Sequence, residues 1–261
     1  MLTMGYLIRY INYLQQAKNK FDIHPPFLYD LVSNVIDDKT RYPEYEKIEQ
    51  LKRELLKNHE TIEVTDLGAG SKADSNHTRT VKSITRHSSK PDKFGRLMHR
   101  LARFLEPPII LELGTAMGLS TAYLALGNAR SAVTTVEGCP NISGQARKNL
   151  DSLDLQRVKV INGNFDDVLP RYLETVPQVD LVFFDGNHRK DPTINYFEQC
   201  LLKTVNTSCF IFDDIHWSEG MESAWKHISQ HPSVTLSLDL FFSGIVFFRK
   251  ELSKQHFVIR F

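Results

Sequence analysis

The sequence has few cysteines, almost no net charge and no long uninterrupted apolar run. Cys139, Cys200 and Cys209 are scattered and form no Cys-x-x-Cys pair, which argues against a structural zinc site and a disulfide framework. Free cysteines are typical of a reducing compartment, so we expect a cytoplasmic protein. The apolar N-terminus is interrupted by Arg9 and Asn12 and lacks a small-residue cleavage site. It therefore predicts an amphipathic helix, not a signal peptide or a membrane span.

The near balance of charge excludes further classes of partner. The 32 lysines and arginines nearly match the 31 aspartates and glutamates, for a formal net charge of +1. This balance gives no overall attraction to nucleic acid or to an anionic membrane, and we expect neither as a partner. A chain of 261 residues that is 41% hydrophobic and 24% charged can form one substantial core with an extension.

Residues 1–106 predict a mainly helical N-terminal extension. Apolar residues recur at helical spacing in two segments that Pro25-Pro26 separates, and a third helix is predicted from Glu44 to Asn58. Lys93 to Leu105 predicts a further amphipathic helix, and Pro107-Pro108 then marks a domain boundary. The N-terminal helices are also where we expect a homodimer of this chain to form.

From residue 107 to 261, short apolar segments alternate with helical ones. This alternation predicts an α/β domain with a parallel sheet. The last two apolar segments are close enough to pair as a hairpin, so the last strand has to run antiparallel, while residues 256–261 fit an edge strand or a tail. The predicted strands are 109–113, 133–137, 158–161, 179–184, 208–212, 234–240 and 244–249.

The stretch from Ile109 to Leu126 carries the clearest functional signal. A buried strand ends in a glycine turn from Gly114 to Gly118, and a helix follows. Gly114 lets the chain turn sharply, and Gly118 lets the backbone approach a ligand at the helix N-terminus. An ordinary turn without a ligand explains these glycines equally well. The next strand, however, ends in Glu137, and a carboxylate at that place accepts hydrogen bonds from ribose hydroxyls.

A second glycine turn, Asp66-Leu-Gly-Ala-Gly70, resembles the first but lacks its context. The segment after it is polar and basic, with little helical periodicity, and no strand ending in an acid follows at the right distance. We therefore predict a strand or loop outside the core for residues 62–71. The basic side chains that follow are predicted to be solvated, with contacts to an anionic substrate as the alternative; they are Lys72, Arg79, Lys82 and Arg86.

Carboxylates follow most of the predicted core strands, which is more than helix capping requires. The Glu-Leu-Gly-x-x-x-Gly-x-Ser turn with Val-Glu beyond it resembles the S-adenosylmethionine site of class I methyltransferases, above all the catechol and caffeoyl-CoA O-methyltransferases. The resemblance implies a Rossmann-like, doubly wound, mostly parallel seven-stranded sheet with an antiparallel last strand over residues 107–261. It also implies methyl transfer from S-adenosylmethionine to a small hydroxylated molecule.

The resemblance assigns roles to individual positions of the cofactor site. Ser120 corresponds to a serine that contacts the methionine part, Glu137 to the ribose carboxylate and Gly138 to the residue beside the adenine. The adenine loop has Phe165 and Asp166 where the family usually has Ser and Gln. The implied cofactor-binding residues are Glu112, Gly114, Thr115, Gly118, Ser120, Glu137, Gly138, Asn164, Phe165, Asp166 and Asp185.

A metal and a base are implied in the same way. Asp185, Asp213 and Asp214 fall on the family's metal ligands, with Asp214 in place of an asparagine, and oxygen ligands favour Mg²⁺. His188 stands where the catechol enzymes carry a lysine base, so Asp185 and His188 are the predicted catalytic residues. A surface or capping histidine is the alternative for His188. For His216 packing over the site is the alternative to a functional role, and for Trp217 we favour packing.

Two other functions stay open. A nucleotide-dependent oxidoreductase would share the fold class, but the turn lacks the third glycine of the Gly-x-Gly-x-x-Gly dinucleotide fingerprint, and the terminal hairpin also disfavours this class. A cofactor-binding relative without catalysis could serve as an interaction protein. Such a relative would not need the three carboxylates that the sequence keeps.

Overall fold

The computed structural model describes residues 4–65 and 78–261. The chain divides into two compact units, one formed by Lys39–Thr175 and the other by Met1–Asp38 together with Val176–Phe261. Within the described ranges, no helix has both the length and the apolar character needed to cross a bilayer. The domain boundary predicted at residues 106–107 stays a prediction.

The helices and strands alternate from residue 109 onward, as predicted. The helices are α1 (Met4–Gln16), α2 (Pro26–Leu31), α3 (Pro43–Leu55), α4 (Val81–Ser88), α5 (Asp92–Leu105), α6 (Leu119–Gly127), α7 (Pro140–Asp151), α8 (Phe165–Thr175), α9 (Lys190–Leu201) and α10 (Glu219–Gln230). The strands are β1 (Thr61–Glu63), β2 (Thr78–Thr80), β3 (Ile109–Leu113), β4 (Ala132–Glu137), β5 (Lys159–Asn162), β6 (Val179–Phe184), β7 (Thr204–Asp213), β8 (Leu236–Asp239), β9 (Ser243–Phe247) and β10 (Gln255–Val258). A 3₁₀ turn covers Lys20–Asp22, and a π-helical turn, Val32–Ile36, continues α2.

In the unit Lys39–Thr175, β4 lies between β3 and β5, and both pairs are parallel. The four residues from Ile110 to Leu113 are buried, which explains why β3 reads as a continuous apolar run. Because parallel strands end at the same edge, Leu113 lies opposite Val136 and the residues after both strands come together. The glycine turn and the carboxylate after β4 are brought to one place in this way.

The segment before this sheet is a small antiparallel hairpin. β1 pairs only with β2, in register from Thr61 opposite Thr80, so the strand near residue 62 lies outside the large sheet, as we predicted. The glycines of the second turn and Lys72 lie outside the described residues. α4 follows at once, although the polar sequence predicts no helix there. Its start is fixed by the Thr80 hydroxyl, which accepts from the Ser83 amide at 3.1 Å, and only Val81, Ile84 and Thr85 are buried.

In the other unit, β7 is parallel to β6 and antiparallel to β9, and β8 is antiparallel to β9. The predicted terminal hairpin is therefore confirmed, with β9 as the antiparallel strand. A further strand beyond the seven predicted, β10, pairs in parallel with the outer side of β8. The antiparallel strand is thus followed by one more strand. This strand is only four residues long, two polar residues followed by two apolar ones, and none of its side chains is fully buried, so its sequence signal is weak.

The N-terminal helix α1 packs in the same unit through its tyrosines. The rings of Tyr6, Tyr10 and Tyr13 lie with their centroids 4.9 to 5.4 Å from that of Phe241. The helix is confirmed, but the aliphatic residues whose spacing predicts it are on the exposed side, at 39 to 52% exposure; they are Leu7, Ile8, Ile11 and Leu14. Both faces of α1 are apolar, so periodicity could not decide which one is buried.

Candidate active site

The glycine turn after β3 has the backbone conformation that its glycines predict. Gly114 and Gly118 have φ angles of 109° and 77°, in the left-handed region that favours glycine, and Ala116 between them has 45°. Gly118 is the N-cap of α6. A β-carbon at this position would lie 3.3 Å from Leu150 Cγ. The turn therefore needs glycine at position 118 for its backbone conformation as well as for space.

The Glu137 carboxylate is fixed against this turn. Its Oε2 accepts a hydrogen bond from the Ala116 amide at 2.9 Å, and its Oε1 accepts from the Cys139 amide at 3.0 Å. The side chain is half-buried. The Asn162 side-chain amide donates to the backbone carbonyls of Glu137 and Gly138 at 2.8 and 3.1 Å. The structure thus joins the turn, the end of β4 and the end of β5.

Glu112 is fully buried at the end of β3. Its Oε2 accepts hydrogen bonds from the hydroxyls of Thr121 and, at 2.7 Å, of Thr135. Its Oε1 is buried and has no hydrogen-bond donor among the described residues. Burial raises the pKa of Glu112 to about 7, and the hydrogen bonds from Thr121 and Thr135 oppose this shift. The carboxyl group therefore titrates near neutral pH and offers one unused acceptor.

The adenine loop predicted by resemblance forms the start of α8. The Asn164 side chain accepts from the Asp166 amide at 3.1 Å, and its carbonyl accepts from the Val168 amide at 2.9 Å. Phe165 is half-buried and Asp166 is exposed. The loop begins at Gly163, whose amide donates to the Glu137 carbonyl at 3.0 Å. All predicted cofactor-binding residues except Asp185 lie in the unit Lys39–Thr175.

Sequence reasoning missed four contacts of this region. Thr121 and Thr135 donate hydrogen bonds to Glu112. In the sequence they stand out only as hydroxyl residues among the apolar residues of a helix and a strand. Cys139 Sγ accepts from the Thr65 amide at 3.3 Å, and the Asn141 side chain donates to the Glu63 carbonyl at 3.0 Å. The end of β1 therefore lies beside the residues that follow Glu137. No sequence pattern links positions so far apart.

The predicted catalytic and metal residues lie in the other unit, and two of the three acids come together with a histidine. One potential ligand atom each of Asp185, His188 and Asp213 lies within 4.8 Å of the others. His188 Nε2 is 3.7 Å from Asp185 Oδ1. Asp213 is 3% exposed and accepts from the Ser243 hydroxyl at 3.2 Å. Asp214 is outside this group, and its φ of 54° turns the chain directly after β7.

Two carboxylates and an imidazole so arranged fit a divalent cation. Oxygen and nitrogen ligands bind such ions at about 2.0 to 2.6 Å, so two ligands of one ion are separated by up to roughly 5 Å. At 3.7 Å, His188 Nε2 is within ion-pair range of Asp185 Oδ1 but beyond hydrogen-bond distance. The donor set thus permits both the predicted metal site and the predicted base.

The loop after Asp214 differs from what we predicted. His216 is not held by packing alone: its Nδ1 and Nε2 lie 3.0 Å from Glu222 Oε1 and 2.8 Å from Asp239 Oδ2. Burial lowers the pKa of His216, but the hydrogen bonds and charges of Asp239 and Glu222 outweigh burial, so that the pKa is raised. Trp217 is 57% exposed, in contrast to the packing role favoured for it.

Comparison with known proteins gives the domain type. A family model described as a methyltransferase domain matches residues 111–215. Catechol O-methyltransferase of Niastella koreensis is 29% identical over 124 residues, which make up 46% of this chain and 55% of that protein. Catechol O-methyltransferase of Bos taurus is 31% identical over 125 residues, 44% of each chain. Residues 111–215, less than half of the chain, are therefore similar to a methyltransferase domain.

A solved structure supports the fold of the methyltransferase domain. The O-methyltransferase from Bacillus cereus, in complex with SAH, matches with a TM-score of 0.57 at 20% identity, over 84% of this chain and 96% of that chain. The likeness confirms the Rossmann-like, mostly parallel α/β fold. The family model and the two catechol O-methyltransferases confirm the resemblance stated from the sequence. The chain spans about half the length of the two catechol O-methyltransferases.

Proposed function

We propose that the protein is an S-adenosylmethionine-dependent O-methyltransferase that acts on a small hydroxylated molecule. The observation that carries the proposal is the Glu137 carboxylate, which two backbone amides hold at the glycine turn. A carboxylate in this place is oriented to accept from two ribose hydroxyls. The match of residues 111–215 to a methyltransferase domain and the identity with catechol O-methyltransferases support the proposal.

The cofactor would be held by the residues around the turn. When bound, S-adenosylmethionine supplies a sulfonium methyl group, so the enzyme needs no covalent intermediate of its own. Glu112 Oε1, a buried acceptor with no donor in the part of the chain that the structure describes, fits the cationic ammonium of an amino acid. The turn itself would approach the cofactor through its backbone, with Ser120 beside the methionine part. The adenine would lie near Gly138 and the loop Asn164–Asp166.

The acceptor would be activated by Asp185, Asp213 and His188. We propose a divalent cation, Mg²⁺ by the hardness of the oxygen ligands, held by Asp185 and Asp213 with Asp214 as the third ligand predicted from sequence. Such a cation lowers the pKa of a bound hydroxyl. The 3.7 Å contact between His188 and Asp185 supports the competing proposal, in which the imidazole accepts the acceptor's proton without a metal.

We propose further that the methyltransferase domain spans residues 107–261 and that residues 1–106 are its N-terminal extension. The supporting observation is that α5 ends at Leu105 and the first strand of the large sheet, β3, begins at Ile109, so that Pro107 lies between them. A cytoplasmic location stays part of this proposal. Expression of residues 107–261 alone tests the boundary, because a folded, cofactor-binding fragment is expected only if the domain is independent.

The activity is tested with methyl-labelled S-adenosylmethionine and a panel of phenols, sugars and amines. Labelled product is expected with a hydroxylated acceptor. Loss of turnover with EDTA, restored by Mg²⁺, would support the metal. Turnover that survives EDTA and persists in Asp214→Asn but collapses in His188→Ala would contradict the metal and support the histidine. Hydride transfer from NADH would favour the oxidoreductase, and cofactor binding without any turnover would favour the non-catalytic protein.

A further inference from the structure

Asp213 and Asp214, which we call the acidic pair, lie in the acidic loop, defined as residues 213–217. This loop is anchored on the turn between β8 and β9. The Asp214 amide donates to the Phe242 carbonyl at 2.8 Å, and the Ser243 hydroxyl donates to Asp213 Oδ1 at 3.2 Å. The conformation of both acids therefore depends on the residues of this turn.

The β8–β9 turn is in turn held by the carboxylate of Asp239. Its Oδ1 accepts from the Phe241 amide at 2.7 Å, and Phe241 has a φ of 67°, a left-handed conformation that a bulky side chain rarely adopts. Its Oδ2 is the acceptor for His216 Nε2 at 2.8 Å, and the imidazole stacks on the Phe241 ring at 5.1 Å. One carboxylate thus joins the strained turn to the acidic loop through His216.

The network continues from His216 to the N-terminal helix. His216 Nδ1 lies 3.0 Å from Glu222 Oε1, and Glu222 Oε2 lies 3.0 Å from Arg9 Nε on α1. Each ring nitrogen of His216 thus lies within hydrogen-bond distance of a carboxylate oxygen. The His216, Asp239, Glu222 and Arg9 side chains are at most about one-third exposed, so solvent screens the network less than a surface pair.

We propose that Arg9, Glu222, His216 and Asp239 form a positioning network that holds the acidic loop, so that helix α1 takes part in shaping the site of the acidic pair. His216 is a positioning residue, because it acts through the loop and touches no reacting atom. The role of the loop in methyl transfer rests on the proposed function, but its attachment to α1 does not. Two carboxylate contacts and a stacked ring converge on this one histidine.

The test uses the two tryptophans as reporters. Trp217 is in the acidic loop and 57% exposed, whereas Trp225 is 5% exposed on α10. In the full-length protein labelled with 5-fluorotryptophan, Trp217→Phe assigns the two fluorine resonances. Arg9→Ala and His216→Gln are expected to shift or broaden the Trp217 resonance and to leave the Trp225 resonance in place. Arg9→Lys, which keeps the cation, is expected to restore the wild-type spectrum.

Arg130→Ala is the matched control, because Arg130 pairs with Glu106 at an exposed position, 3.4 Å apart. An unchanged Trp217 resonance in Arg9→Ala would overturn the proposal, as would an equal shift in Arg130→Ala. Should His216→Gln fail to fold, Arg9→Ala decides alone. S-adenosylhomocysteine binding is measured on the same samples. Its absence from the wild type would contradict the proposed function and leave the fluorine result to decide on the network.

Discussion

Replacing Glu112 by Gln should stabilise the folded protein above neutral pH and weaken cofactor binding at the same time. The substitution keeps the shape of the side chain and an oxygen that can accept from Thr121 and Thr135. It removes a charge that is fully buried in the folded state. An isosteric, uncharged side chain therefore separates the cost of the charge from the contribution of packing.

The magnitude follows from the pKa. Burial raises the pKa of Glu112 from 4.5 to about 7 in the folded state. Between pH 4.5 and pH 7 the folded state binds a proton that the unfolded state does not. The contribution of this proton to the free energy of unfolding is therefore fully present below pH 4.5 and is lost as the pH rises through 7. A shift of this size corresponds to roughly 3 kcal/mol. The new amide NH₂ lacks an acceptor if it takes the place of Oε1, which costs about 1–2 kcal/mol. A net gain of about 1–2 kcal/mol at pH 8 remains.

Urea unfolding of both proteins between pH 5 and pH 8 measures this difference. The free energy of unfolding of the wild type minus that of Glu112→Gln should fall across this range, because other titrating groups cancel in the difference. Affinity for S-adenosylmethionine should fall in the variant, because an amide cannot match a carboxylate as acceptor for an ammonium group. Parallel curves at all pH values would show that Glu112 has an ordinary pKa and would refute the reasoning.

Three further predictions concern other parts of the chain. Burial lowers the pKa of His99 to about 4, so the protein loses stability as the pH falls from 6.5 toward 4. The free energy of unfolding of His99→Phe should lose this pH dependence, and a pH dependence equal to that of the wild type would contradict the prediction. Gly118→Ala should lower the stability by about 1 kcal/mol or more and should also lower the cofactor affinity. Calorimetry should show neither loss in Gly144→Ala, because a β-carbon at position 144 meets no atom within 4 Å. If α1 forms the predicted homodimer, light scattering should show a dimer that Leu7→Glu with Ile11→Glu converts to a monomer; a wild-type monomer would contradict this.

The elements that sequence predicts well are those whose signal is local. The apolar run of β3, the glycines after it and the carboxylate at the end of β4 each follow from a few neighbouring residues, and parallel pairing then brings them together. The terminal hairpin follows from two apolar segments that are close together in the sequence. For β10 the sequence allows a strand or a tail, because its four residues bury little apolar surface.

Features that depend on distant residues could not be predicted. The pKa of Glu112 results from complete burial and from two threonine hydroxyls, one in α6 and one in β4. The partners of His216 come from α10 and β8, and no spacing in the sequence links them. Helix α1 buries the face whose tyrosines pack against the Phe241 ring, which is distant in the sequence. Each of these facts is a property of tertiary packing rather than of a pattern.

Calorimetric titration of S-adenosylmethionine into the wild type, Glu137→Ala and Glu106→Ala tests the central claim most directly. Glu137 is held at the glycine turn by two amides, while Glu106 is an exposed glutamate at the end of α5. The wild type and Glu106→Ala should bind alike, and Glu137→Ala should lose about 1–3 kcal/mol of binding free energy, because ribose hydroxyls lose their acceptor. A wild type that does not bind, or a Glu137→Ala variant that binds as tightly as the wild type, would contradict the assignment of this site.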